Sequence, residues 1–288
     1  GCAHGTYFDR LVSVQNNDLV EGPFCFGNCD EICFDETSIE YELVWSDEFD
    51  GNGAIDTLKW HHQTQLPNGN SWYNGEIQHY TDREQNSYVS DGTMKIVAQR
   101  ETYADQGHIK DFTSARLNSK FAFTYGKVEV RARLPEGVGT WPAIWMLGQN
   151  ISEPGAYWET QGYGTTGWPF CGEIDIMEHW GGNQDYIQSA IHTPSSYGGT
   201  INHGGQYVSN STNDFNIYTL EWNNEKMVFS VNDIIHYTYN PAVKNSDTWP
   251  FESPQYLILN IAIEQSHRQS KYYHFPNLVN PSNHNNHF

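Results

Sequence analysis

From Tyr41 onward, short alternating runs dominate the chain. Val128, Val130, Ala132 and Leu134 interleave with Lys127, Glu129, Arg131 and Arg133. Met94, Ile96 and Ala98 interleave with Lys95, Val97 and Gln99, and Tyr218, Leu220 and Trp222 with Thr219 and Glu221. Period two marks a strand with one face buried. Tyr41–Trp45, Met227–Val231, Ile234–Tyr239 and Tyr256–Ile263 read as further strands. Turn residues separate them: Asp91-Gly92, Pro135-Glu136-Gly137, Asn223-Asn224 and Asn232-Asp233. Only Asp56–His62 suggests a helix, and a short one. Many short strands with polar turns predict an all-β protein, an antiparallel sandwich or barrel.

The pattern divides the chain in three. Residues 1–39 are rich in Asn, Asp and Cys without sustained periodicity, and read as an N-terminal extension or linker. Residues 40–266 form the β domain. Residues 267–288 are polar, rich in His and Asn, and read as a weakly ordered tail. Inside the domain, Gly148–Cys171 is a long loop rich in Gly, Thr, Tyr and Trp, and loops of that length are usually functional.

Composition narrows the partners. The net charge of -20 argues against nucleic acid and anionic membranes, and favours a neutral polymer over a sulfated one. No apolar run reaches the roughly 18 residues of a membrane span. Aromatics make up 15% of the chain, enough to fill a core and also to wall a sugar site. The spacing of Cys25, Cys29 and Cys33 is not that of a zinc site, which leaves a local disulfide open. Gly162–Gly167 spells a dinucleotide-binding motif but leads into Trp168-Pro169 rather than a helix. The sequence begins without Met and reads as processed, and Gly1-Cys2 resembles the remnant of a lipoprotein cleavage site. The expectation is a secreted, extracellular monomer, with a surface lipoprotein as the variant.

The chemistry concentrates in Glu173-Ile174-Asp175-Ile176-Met177-Glu178-His179. On a regular strand Glu173 and Asp175 share a face and Glu178 points away. One extra residue near Ile176-Met177, a β-bulge, returns Glu178 to the face of the other two. Three crowded acids raise each other's proton affinity, so one is ionised while another stays protonated. Glycoside hydrolysis needs that pairing.

This run resembles the catalytic signature of glycoside hydrolase family 16. The likeness extends over roughly residues 41–263. It takes in Val44–Asp50, Trp72–Tyr80, Phe112–Arg116, Gly126–Leu134, Trp141–Leu147, Ala190–Thr193 and Phe215–Trp222, in the family's order. The resemblance implies a β-jelly-roll sandwich of two antiparallel sheets with a concave substrate cleft. It implies a retaining endo-β-1,3-glucanase of the laminarinase type acting on laminarin-like glucan. Mixed-linkage glucanases, galactan hydrolases and transglycosylases of the same fold, or a non-catalytic carbohydrate-binding sandwich, are the alternatives. By resemblance Glu173 is the nucleophile, Glu178 the general acid/base and Asp175 the group that tunes them. Trp141, Trp145 and Trp180 are candidate stacking walls, and Asn74, Arg116 and His192 candidate hydroxyl-binding groups. No cofactor is implied for catalysis. Glu48 and Gly92 stand where the family holds a structural calcium. The family's closing strand resembles D-Y-V-R-V, and residues 264–288 contain no such run. A sheet edge is therefore expected to be poorly covered.

Overall fold

The computed structural model describes residues 4–16 and 41–264. Two sheets face each other. The first has ten strands: β1 (His4–Asn16), β2 (Tyr41–Asp47), β4 (His79–Tyr80), β5 (Ser87–Ser90), β6 (Thr93–Asp105), β7 (His108–Ser114), β9 (Gly126–Arg133), β14 (Asn216–Trp222), β15 (Met227–Val231) and β16 (Ile234–Tyr239). The second has seven, in the order β13 (His203–Tyr207), β12 (Tyr186–His192), β11 (Glu173–His179), β10 (Thr140–Gly148), β17 (Gln255–Ile263), β8 (Arg116–Phe123) and β3 (Trp60–His62). All ladders are antiparallel except β4 with β7. This is the jelly-roll sandwich that the sequence predicts.

Alternation places the core between the sheets. Val128, Val130 and Ala132 of β9 are buried while Lys127, Glu129, Arg131 and Arg133 are not. They meet Ile144 and Met146 of β10, Ile174 and Ile176 of β11, and Leu257, Leu259 and Ile261 of β17. A second apolar cluster lies around Tyr256 and Ile258, on the other face of β17. There the long loop contributes Ile151, Ala156 and Cys171, and Cys171 is a free, buried thiol. The loop is thus anchored on the cleft-bearing sheet.

Two readings are corrected. Asp56–His62 is not a helix: Lys59 and Trp60 donate to the Asp56 carbonyl in one turn, and Trp60 then enters β3. More consequentially, the segment read as an extension supplies a strand. β1 pairs with β9 on one side and with β6 and then β2 on the other, so it lies inside the first sheet. Its run Asp9-Arg10-Leu11-Val12-Ser13-Val14 has the Asp-led character expected of a closing strand. The edge expected to be bare is therefore filled from the N-terminal side. Asp9 is the residue skipped in the β1–β9 register. Cys2, Cys25, Cys29, Cys33 and the tail 267–288 lie outside the described residues.

Candidate active site

The bulge is present. In the β11–β12 ladder Asp175 pairs with Ala190 and Glu178 with Gln188, so β11 advances three residues while β12 advances two. The β10–β11 ladder shifts at the same place, with Trp145 opposite Asp175 and Ile144 opposite Met177. Ile174, Ile176 and Met177 consequently point into the core. Glu173 and Glu178 line a cavity of about 430 Å³ on the other face. Trp141, Ala143, Trp145 and Leu147 line it from β10, following the pleat. Gly181, just past the acidic strand, packs so closely on Gly137 that a Cβ would sit 1.8 Å from its carbonyl oxygen.

Burial dominates the electrostatics. It raises the proton affinity of Glu173, and Asp175's charge adds to this. Burial alone raises Asp175. Glu178 is pushed up to about 8, by burial first and by Asp175 second. Hydrogen bonds oppose the trend. Trp168 Nε1 donates to Glu173 Oε2 at 2.9 Å, and Trp141 Nε1 to Glu178 Oε1 at 3.1 Å.

His192 Nε2 lies 3.1 Å from Asp175 Oδ2 and 3.6 Å from Glu173 Oε1. Its Nδ1 accepts the Gly198 N–H at 3.1 Å, which places the proton of the neutral ring on Nε2, facing the acids. The expected hydroxyl-binding residue therefore faces Glu173 and Asp175.

The other predicted residues divide. Asn74 is exposed on the cleft rim, with φ 56°. Trp180 stacks on Trp141 at 5.7 Å. Trp145 lines the cleft and donates to Asn260 Oδ1 at 2.7 Å. Arg116 borders the cleft but is only 3% exposed. It donates to Gln63 at 2.9 Å and grips both oxygens of buried Glu153 at 3.1 and 2.9 Å. Its guanidinium lies between the rings of Trp72 and Trp145, at 5.1 and 4.8 Å from their centroids. Arg116 thus fixes the wall more than it offers itself to a ligand.

Sequence reasoning missed Trp168, Glu153, Glu76 and Asn260, all of which line the cleft. Trp168 and Glu153 belong to the flagged long loop. Glu76 sits in the quoted Trp72–Tyr80 phrase, and its Oε2 accepts from Gln78 at 2.7 Å and Tyr80 at 2.9 Å. Among the described residues, one group of three metal-capable side chains converges: Glu173, Asp175 and His192. Glu48 is half-buried just past β2, and Gly92 stands in the β5–β6 turn.

A profile described as Glycosyl hydrolases family 16 matches residues 74–273. The chain belongs to that family and is a glycoside hydrolase. A beta-glucanase of Rhodothermus marinus is 41% identical over 234 residues, which cover 77% of this chain and 76% of that protein. A LamA variant from Z. galactanivorans, solved with laminaritriose and laminaritetraose, is 46% identical with a TM-score of 0.72. That match covers 81% of this chain and 92% of the other. SCLam, a non-specific endo-beta-1,3(4)-glucanase, is 35% identical with a TM-score of 0.69, over 77% of this chain and 80% of the other.

Proposed function

We propose that the chain is an endo-β-1,3-glucanase that hydrolyses laminarin-like glucan with retention of anomeric configuration. The observation that carries this is the bulged β11, which puts Glu173 and Glu178 on one cleft wall with Asp175 between them. The laminarinase relatives favour a β-1,3-glucan.

Glu173, whose ionised form the Trp168 hydrogen bond favours, attacks the anomeric carbon as its carboxylate. Glu178 holds its proton near neutrality and delivers it to the departing glycosidic oxygen. The glycosyl–Glu173 ester then receives water, deprotonated by the Glu178 carboxylate. Asp175 lies between the pair along β11, with His192 Nε2 3.1 Å from its Oδ2. A glucan polymer is met outside the cell, so we read the enzyme as secreted.

Digestion of a polysaccharide panel tests the substrate, with laminarin expected to be cut faster than agarose or κ-carrageenan. NMR of the first products tests the stereochemistry: β-anomer is expected, and initial α-anomer overturns the mechanism. Glu173→Ser is expected to lose at least about a thousandfold in kcat, the scale on which catalytic groups act in concert. Faster cleavage of mixed-linkage glucan would favour the specificity printed for SCLam.

A further inference from the structure

The bulge that makes the site also strands a backbone group. Ile176 is the extra residue, left out of the registers with both β10 and β12. It is 1% exposed. A buried carbonyl without a ladder partner must find another donor. The residue left out on the facing strand is Ser189, between Gln188 and Ala190. Its Oγ donates to the Ile176 carbonyl at 2.7 Å.

A hydroxyl has one proton, so a further partner of this buried Oγ must donate. That partner is His236 Nε2, at 2.8 Å. The other ring nitrogen, Nδ1, lies 3.2 Å from Gln206 Nε2. An amide nitrogen can only donate, so Nδ1 accepts and the proton stands on Nε2. The directions agree along the whole line: Gln206 to His236, His236 to Ser189, Ser189 to Ile176. Burial lowers His236 to about 4, against a hydrogen bond to the Ile234 carbonyl, so the ring is neutral.

His236 comes from the opposite sheet and is itself a skipped residue. The β15–β16 register passes from Phe229–Tyr237 to Ser230–Ile235. Gly204 of β13 permits the close approach, since a Cβ there would meet the Tyr237 ring at 2.9 Å and the His236 carbonyl oxygen at 3.0 Å. Two irregular strands are thus joined through one hydroxyl.

We propose that Ser189 and His236 are positioning residues that lock the β11 bulge and thereby aim the Glu178 carboxyl into the cleft. The alternative state is a one-residue slip, and such a slip turns a side chain to the other face of its sheet. The inference rests on the reading of Glu178 as the acid. A small displacement of a catalytic group can cost about a hundredfold in rate.

Ser189→Ala is the test, with Ser189→Thr, which keeps the hydroxyl, and His236→Gln beside it. Ser189→Ala is expected to lower kcat on laminarin by about ten- to a hundredfold, with KM within about threefold. In kcat/KM, a dinitrophenyl β-laminaribioside, whose leaving group needs no proton, is expected to lose several-fold less than an unactivated oligosaccharide. Ser189→Thr is expected to recover most of the rate, and His236→Gln to fall between. Equal losses on both substrates, or a lowered melting temperature with kcat unchanged, would overturn the proposal. If Ser189→Ala does not fold, His236→Gln decides by the same comparison. Wild-type enzyme inactive on every β-1,3-glucan would instead remove the proposed function.

Discussion

Trp168 donates its indole N–H to Glu173 Oε2 at 2.9 Å. This bond favours the ionised form of a carboxyl that burial and Asp175 push toward protonation. The loop therefore bears on the charge of Glu173 as well as forming a wall. Trp168→Phe keeps a ring beside Tyr197 and His192 but removes the donor. The expected result is a fall in kcat/KM of about tenfold at pH 6, the worth of one hydrogen bond to a charged group at a partly open site. The acid limb of the pH–rate profile should also move upward, because Glu173 would ionise later. An unmoved acid limb would show that the bond does not tune Glu173.

Glu178 supplies the opposite limb. Its carboxyl is raised to about 8, so activity is expected to fall as pH rises through that value and the acid loses its proton. The same shift has a sign in stability. An unfolded Glu titrates near 4.3, so between about 4.3 and 8 the folded form holds more protons than the unfolded one. Stability from this group is fully present below the lower value and is lost as pH rises through the upper one. Glu178→Gln cannot ionise. Its melting temperature should match wild type near pH 4 and exceed it increasingly toward pH 8.5. A difference independent of pH would contradict the assignment.

How much of this was legible in the sequence depended on whether the signal was local. The β9 alternation and the acidic run each carry their own geometry, and the bulge follows from requiring Glu178 to join Glu173 and Asp175. Arg116 shows the limit. Its partner Glu153 lies 37 residues away and its stacking partner Trp72 comes from a third segment, so no spacing announces that the guanidinium is spent. His192 likewise has its tautomer fixed by the Gly198 backbone, which no side-chain pattern encodes. β1 escaped because its alternation is broken at Asp9, the residue its pairing skips.

The Arg116–Glu153 pair should dominate the stability of the cleft. Both side chains are nearly dry, at 3% and 4% exposure. Removing one partner of a buried pair leaves the other charged and uncompensated, at a cost of about 3–5 kcal/mol. Glu153→Ala is expected to destabilise by that order in urea unfolding. Activity should fall too, because the displaced guanidinium no longer fixes Trp145. Exchanging Arg116 and Glu153 for apolar residues together should cost less than Glu153→Ala alone. A loss under about 1 kcal/mol for the single variant would mean that water reaches the pair.

Removing residues 1–16 should be more damaging than removing an extension. β1 fills the space between β9 and the β6–β2 side, with seven residues in register on β9, five on β6 and six on β2. Without it, β9 and its former neighbours each present unpaired N–H and C=O groups inside a sheet, which template aggregation. The truncated protein is expected to lose solubility or cooperative unfolding. A peptide of residues 4–16 added during refolding should restore both in part, because it supplies the missing backbone partners. Hydrogen exchange offers an independent measure: the amides of Lys127 and Glu129, which face β1, should lose protection on truncation, while Ile258 and Ile261 of the other sheet retain more. Unaltered solubility and protection would show that β1 is dispensable to the sandwich, as the sequence pattern alone suggested.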